Sequence, residues 1–216
     1  MKKIIFLPTE VNYSLIIFLF YSWFNFSFLA NLFITSLCII IGFIFRRSFI
    51  PYRDTSKTNG ELYLSPVHGV VEQIRQTSDG STEVRISMSF WDEKGLYLPT
   101  SGEVSYLKAY PGEKVARNAG PEAFYRPSEE LSHTDLTLTS RLETKTLMRF
   151  IDTTFGKRPT IWLKSGDRGR GAACFGFYPL GGTLIIYLPK NSDILVFEKE
   201  TIVPGLTVIA ALKDLK

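Results

Sequence analysis

Cysteine and histidine are scarce in this chain of 216 residues, with two of each. Cys38 sits in an apolar stretch and Cys174 in a polar part of the chain. They belong to different solvents, so no disulfide framework is expected. His68 and His133 stand alone, without metal-ligand spacing around either, and a zinc site is not expected. The sequence also lacks a basic block. Its 25 Lys and Arg against 21 Asp and Glu leave a net charge of +4, with the two signs interspersed. Nucleic acid is therefore not indicated as a partner, whereas a mildly basic domain beside an anionic lipid leaflet fits the same number. There is no repeat of fixed period and no low-complexity tract.

Charge is missing altogether from Tyr13 to Phe45, where Phe, Leu and Ile dominate. This run is longer than the roughly 20 residues one upright span needs, and short for two. It ends in Phe45-Arg46-Arg47 rather than in the small residues of a cleavage site, which reads as a stop-transfer junction. Lys2 and Lys3 precede it, and Arg46, Arg47, Arg53 and Lys57 follow. Basic residues on both flanks favour two ends on the cytoplasmic side. The expectation is a transmembrane helical hairpin over residues 1–47, turning near Asn25 to Asn31, with Tyr21 and Trp23 at the far interface. One tilted helix plus an interfacial piece is the alternative.

After a polar linker (48–60, most polar from Asp54 to Asn59), short apolar runs alternate with turn residues over 61–216. Gly69 to Ile74, Val84 to Met88, Val104 to Leu107, Leu136 to Thr139, Thr160 to Leu163, Leu184 to Leu188, Ile194 to Phe197 and Val208 to Leu212 all read as strands. A helical stretch around Leu142 to Phe155 is an alternative there, although it is Thr-rich. Asn118 to Ser132 carries Gly, Pro and Glu without periodicity and is expected to be a surface loop. The fold class is mainly β, following the N-terminal hairpin.

Three ordered blocks carry a resemblance. The first is Ser65-Pro66-Val67-His68-Gly69. The second runs from Ile86 through Met88-Ser89-Phe90-Trp91 to Pro99-x-x-Gly102 and Tyr110-Pro111-Gly112. The third runs from Gly166 to Pro189, with Leu180-Gly181-Gly182-Thr183 and Tyr187-Leu188-Pro189. Together with Val203-Pro204-Gly205 they resemble the short, membrane-anchored form of the phosphatidylserine decarboxylases, over most of residues 60 to 212. The resemblance implies a β-rich domain whose C-terminal part is lipoyl-like, a barrel-sandwich.

Members of that family decarboxylate the serine headgroup with a pyruvoyl group cut from their own chain, and this requires a serine hydroxyl as nucleophile. An aspartate and a histidine assist. The resemblance puts Gly182 at the serine position, His68 at the aspartate and Lys94 at the histidine. No pyruvoyl group is then expected, nor any other cofactor. Thr183 is the alternative nucleophile, one residue out of register, where a strand turns its side chain to the other face. Cys174 precedes the motif and reads as a small buried residue.

His68 and Lys94 read either as a turn residue and a solvated loop residue, or as a cationic pair for an anionic headgroup. Phe90 and Trp91 read either as core positions or as aromatics at a membrane interface. The Gly181-Gly182 pair lacks the rest of any phosphate-cradling motif. The resulting expectation is a non-catalytic family member that binds phospholipid headgroups, phosphatidylserine or a related lipid, or pairs with itself or with an active decarboxylase. Its place would be a bacterial or archaeal cytoplasmic membrane, with the β domain on the cytoplasmic side. An active phosphatidylserine decarboxylase, making phosphatidylethanolamine and CO2, is the alternative.

Overall fold

Side-chain alternation decides this architecture, because a strand turns successive residues to opposite faces and buries one set. In β9 (Lys145–Ile151) Thr146, Met148 and Phe150 are buried while Lys145, Leu147 and Arg149 are not, so the Thr-rich segment with a helical alternative is a strand. The computed structural model describes residues 4–5, 9–25, 27–44, 47–48, 61–115, 130–153 and 158–212. Most of the expected linker and of the Asn118 to Ser132 loop lies outside these.

The N-terminal elements are β1 (Ile4–Ile5), α1 (Thr9–Asn25), α2 (Phe28–Ile44) and β2 (Arg47–Ser48), with β1 and β2 paired antiparallel. The helices break just after Asn25, and the Ser27 carbonyl accepts the first bond of α2 from Asn31 N at 3.0 Å. Each helix has 17 residues, about 25 Å at 1.5 Å per residue, against a hydrocarbon core of about 30 Å. α1 also places Glu10 and Asn12 in its opening turns. Among the described residues no helix is long and apolar enough to cross a membrane. The expected transmembrane hairpin is thus corrected: the apolar run is divided by its own turn into two pieces, neither of which spans.

The remaining strands are β3 (Glu61–Leu64), β4 (Gly69–Gln76), β5 (Thr82–Ser87), β6 (Gly95–Tyr97), β7 (Gly102–Tyr110), β8 (His133–Ser140), β9, β10 (Thr160–Ile161), β11 (Arg168–Gly169), β12 (Cys174–Phe177), β13 (Thr183–Leu188), β14 (Ser192–Ile194), β15 (Thr201–Ile202) and β16 (Val208–Leu212). Eight of them form one antiparallel sheet in the order β11-β7-β8-β9-β13-β5-β4-β15. Two three-stranded sheets, β10-β12-β6 and β14-β16-β3, complete the described β structure. The C-terminal strands are shared among all three sheets, with β13 central in the largest, so they do not make the separate lipoyl-like part that was expected. Both edges of the large sheet are two-residue strands, too short to template pairing with another chain.

The main core lies on one face of this sheet, where Val84, Ile86, Leu136, Leu138, Met148, Phe150, Leu184 and Ile186 meet residues of the smaller sheets. The other face is mixed. A row across β8, β9, β13 and β5 reads Asp135, Arg149, Ile185, Arg85, and Arg149 grips Asp135 through two 2.8 Å bonds. Phe150 packs edge-on against Phe175 and Tyr178, with centroids 6.5 and 5.9 Å apart. It ties the sheet to the segment that precedes β13. Phe150→Ala should lower stability by about 3–5 kcal/mol, measured by urea unfolding; a loss under about 1 kcal/mol would show that this packing is not central.

Candidate functional site

Backbone hydrogen bonds bring the sequence-distant blocks together. Tyr97 N donates to Pro66 O and Leu64 N to Pro99 O, each at 2.8 Å, which joins the first block to the second. Met88 N donates to Gly182 O (2.8 Å) and Tyr178 N to Lys94 O (2.9 Å), which joins the second to the third. Ser65 N donates to Thr207 O (2.8 Å) and Gly205 N to Ser65 O (3.0 Å), adding the C-terminal turn. His68, Lys94 and Gly182 therefore lie on segments that share one junction.

At that junction a turn precedes β13. Gly181 N donates to Tyr178 O at 3.1 Å, and both Leu180 (φ 62) and Gly181 (φ 75) adopt left-handed backbone. Glycine suits such a position and leucine does not, so Leu180 carries a local backbone cost. Gly181 is needed sterically as well, since a Cβ there would lie 2.7 Å from Met88 O. Gly182 is as tightly packed: a Cβ would lie 2.4 Å from the Tyr178 hydroxyl oxygen and 2.6 Å from its Cζ. Tyr178 is fully buried, and its hydroxyl donates to Ile151 O. Burial, with the charge of Asp152 adding to it, pushes that hydroxyl far above its ordinary pKa, so it remains a neutral donor.

Lys94 is also fully buried. Its Nζ donates to Ser89 O at 2.5 Å and lies 3.3 Å from the point a Gly181 Cβ would occupy. The reading of Lys94 as a solvated loop residue is corrected. A buried ammonium needs such partners, because leaving water costs several kcal/mol otherwise. His68 Nδ1 stands 3.0 Å from Asp92 Oδ1, both side chains being partly exposed. Burial works against the charge of Asp92. The His68 ring, the Ser89 N–H at 2.5 Å and the Lys94 charge outweigh it and hold the carboxyl below its usual range. Trp91 is 63% exposed and Phe90 half-buried, with ring centroids 5.2 Å apart, edge to face. Phe90 and Trp91 thus stand on an outer loop next to the His68–Asp92 pair, not in the main core.

No protein-family model matches the chain. Against curated proteins it is 30% identical over 159 residues to the phosphatidylserine decarboxylase proenzyme of Amoebophilus asiaticus, covering 70% of this chain and 68% of the relative. The chain belongs to the phosphatidylserine decarboxylase family. Proteins of the same name from Ehrlichia chaffeensis (25% over 164 residues, 71% and 69% covered) and Parabacteroides distasonis (22% over 188 residues, 83% and 81% covered) are also similar.

Of the other residues singled out in this phosphatidylserine decarboxylase relative, Thr183 is buried and opens β13 opposite Ser87 and Ile151. Alternation puts it on the face of Ile185, which packs with Val115, Leu131 and Ile151, whereas a Gly182 side chain would enter the main core beside Tyr178. Cys174 lies on β12 with Sγ 3.5 Å from Gly176 O, and it is half-buried rather than buried. Tyr178 and Asp92 escaped the sequence reading. Asp92 is one of several adjacent polar residues that nothing in the sequence singles out, and only the fold back at Gly181 puts Tyr178 against Gly182.

Two expectations follow from this geometry. Gly182→Ala should lose about 1–3 kcal/mol through overpacking, and in a Tyr178→Ala background most of that penalty should vanish. Equal penalties in both backgrounds, by chemical denaturation, would contradict the contact. For Asp92 the sign runs with a depressed carboxyl: its stabilisation is fully present above the ordinary aspartate value of about 3.9 and is lost as pH falls through its lower folded value. Asp92→Asn should therefore flatten the fall in unfolding free energy below about pH 4, and an unchanged acid limb would count against the pairing.

Proposed function

We propose that this chain is a non-catalytic member of the phosphatidylserine decarboxylase family, and that Gly182 stands where active members carry the pyruvoyl-forming serine. The observation that carries this reading is the packing at Gly182. There is no side-chain oxygen to attack the preceding carbonyl, and the volume a side chain would need is taken by the Tyr178 ring. The residues present do not fit a pyruvoyl group. Thr183 offers a hydroxyl one residue later, but on the opposite face of β13, away from Tyr178 and Lys94. His68 and Lys94 at the assisting positions bring two bases of the wrong order, one of them sealed beneath Ser89.

What remains is recognition. The relatives' name supplies the lipid, phosphatidylserine. His68 offers a partly exposed imidazole near the outward Trp91, an arrangement suited to an anionic headgroup with an aromatic at the lipid interface. Lys94 lends its charge from below. The relatives are named proenzymes, which favours the second reading, an active decarboxylase using Thr183. Phosphatidylcholine vesicles with and without phosphatidylserine separate these. The non-catalytic reading expects no phosphatidylethanolamine to form, tighter binding to the serine-containing vesicles, and binding weakened by Trp91→Ala. Turnover of phosphatidylserine would overturn the first claim, and equal affinity for both vesicles the second.

A further inference from the structure

At the β11 edge of the large sheet, far along the strands from the turn at Gly182, positive charge collects without a role in anything above. β11 pairs with β7 and β7 with β8, in register Arg168↔Glu103↔Thr139 and Gly169↔Gly102↔Ser140. One residue further on, the same three chains carry Arg170, Ser101 and Arg141. Period-two alternation returns this last row to the face of the first. The two glycines between them add no side chain, and neither could, since a Cβ on Gly102 would lie 2.3 Å from Thr139 O and one on Gly169 2.1 Å from Leu98 Cδ1. The result is a cleft of about 510 Å³ bordered by all three arginines.

We propose that this cleft binds a phosphate group. Among the described residues, three guanidiniums and one carboxylate, Glu103, line the cleft. Arg168 Nε stands 2.9 Å from Glu103 Oε2, in an ion pair between side chains 84% and 45% exposed. Such a pair contributes about 0–1 kcal/mol, so a dianion can take Arg168 from it at little cost. Arg141 and Arg170 are exposed at the rim, and guanidiniums offer the paired N–H donors that match phosphate oxygens. Ser101 Oγ already accepts from Gly171 N at 2.9 Å, which leaves its proton to donate. The size and the glycine floor suit a phosphate with a small substituent. This inference rests on the cleft alone and stands or falls independently of whether the chain is catalytic.

The test titrates the full chain with inorganic phosphate by calorimetry, and separately with phosphatidylcholine vesicles containing phosphatidic acid. Arg141→Gln/Arg170→Gln is compared with Arg75→Gln/Lys190→Gln, which removes the same charge from exposed positions outside the cleft. A loss of about tenfold in affinity in the first variant and not the second supports the site. If the loss is seen with inorganic phosphate the ligand is a free phosphate compound, and if only with vesicles it is a lipid headgroup. Equal losses in both variants, or no binding of either probe to the parent chain, would overturn it.

Discussion

A missing methyl group governs the centre of this molecule. β13 begins against Tyr178 at a separation that only a residue without a Cβ permits, and Gly182 supplies it, while Gly181 does the same against Met88 O. That close approach lets Gly182 O accept from Met88 N, so the central strand of the large sheet is anchored to the loop after β5. Tyr178 in turn reaches Ile151 O on β9 and packs edge-on to Phe150. Three strands, the turn before β13 and the main core thus depend on one contact. A side chain at 182 would have to displace an aromatic ring whose hydroxyl is already committed.

The polar groups nearby are arranged around one another. Lys94 lies beneath the Ser89 carbonyl, Asp92 caps the Ser89 N–H from the other side, and His68 faces Asp92. The Lys94 ammonium has a partner within the protein, which is how a cation can be buried so close to a sheet without prohibitive desolvation. The same closure leaves Trp91 outward, since the loop turns its polar residues in and its largest aromatic out.

Much of this was legible in the residues. The alternating runs found the strands, because period-two burial leaves a direct trace in sequence, and the three ordered blocks identified the family before their spatial junction was visible. Other features were not legible. The apolar run from Tyr13 to Phe45 looks continuous as composition, but helix length is set by where the backbone breaks, and the break after Asn25 makes each piece too short to span. The burial of Lys94 has no sequence signature, because polar neighbours such as Asp92 and Glu93 suggest solvent. The contact of Tyr178 with Gly182 depends on two successive left-handed residues, one of them a leucine, which turn propensities do not favour.

The most direct measurement of the central claim is the intact mass of the purified full chain, with and without hydroxylamine to trap any α-keto terminus. One uncut chain of 24.5 kDa, unreactive toward hydroxylamine, is the result expected if the packing at Gly182 has replaced the family's self-processing chemistry. Two fragments meeting at Gly182 or Thr183, one of them carrying a trapped carbonyl, would contradict it.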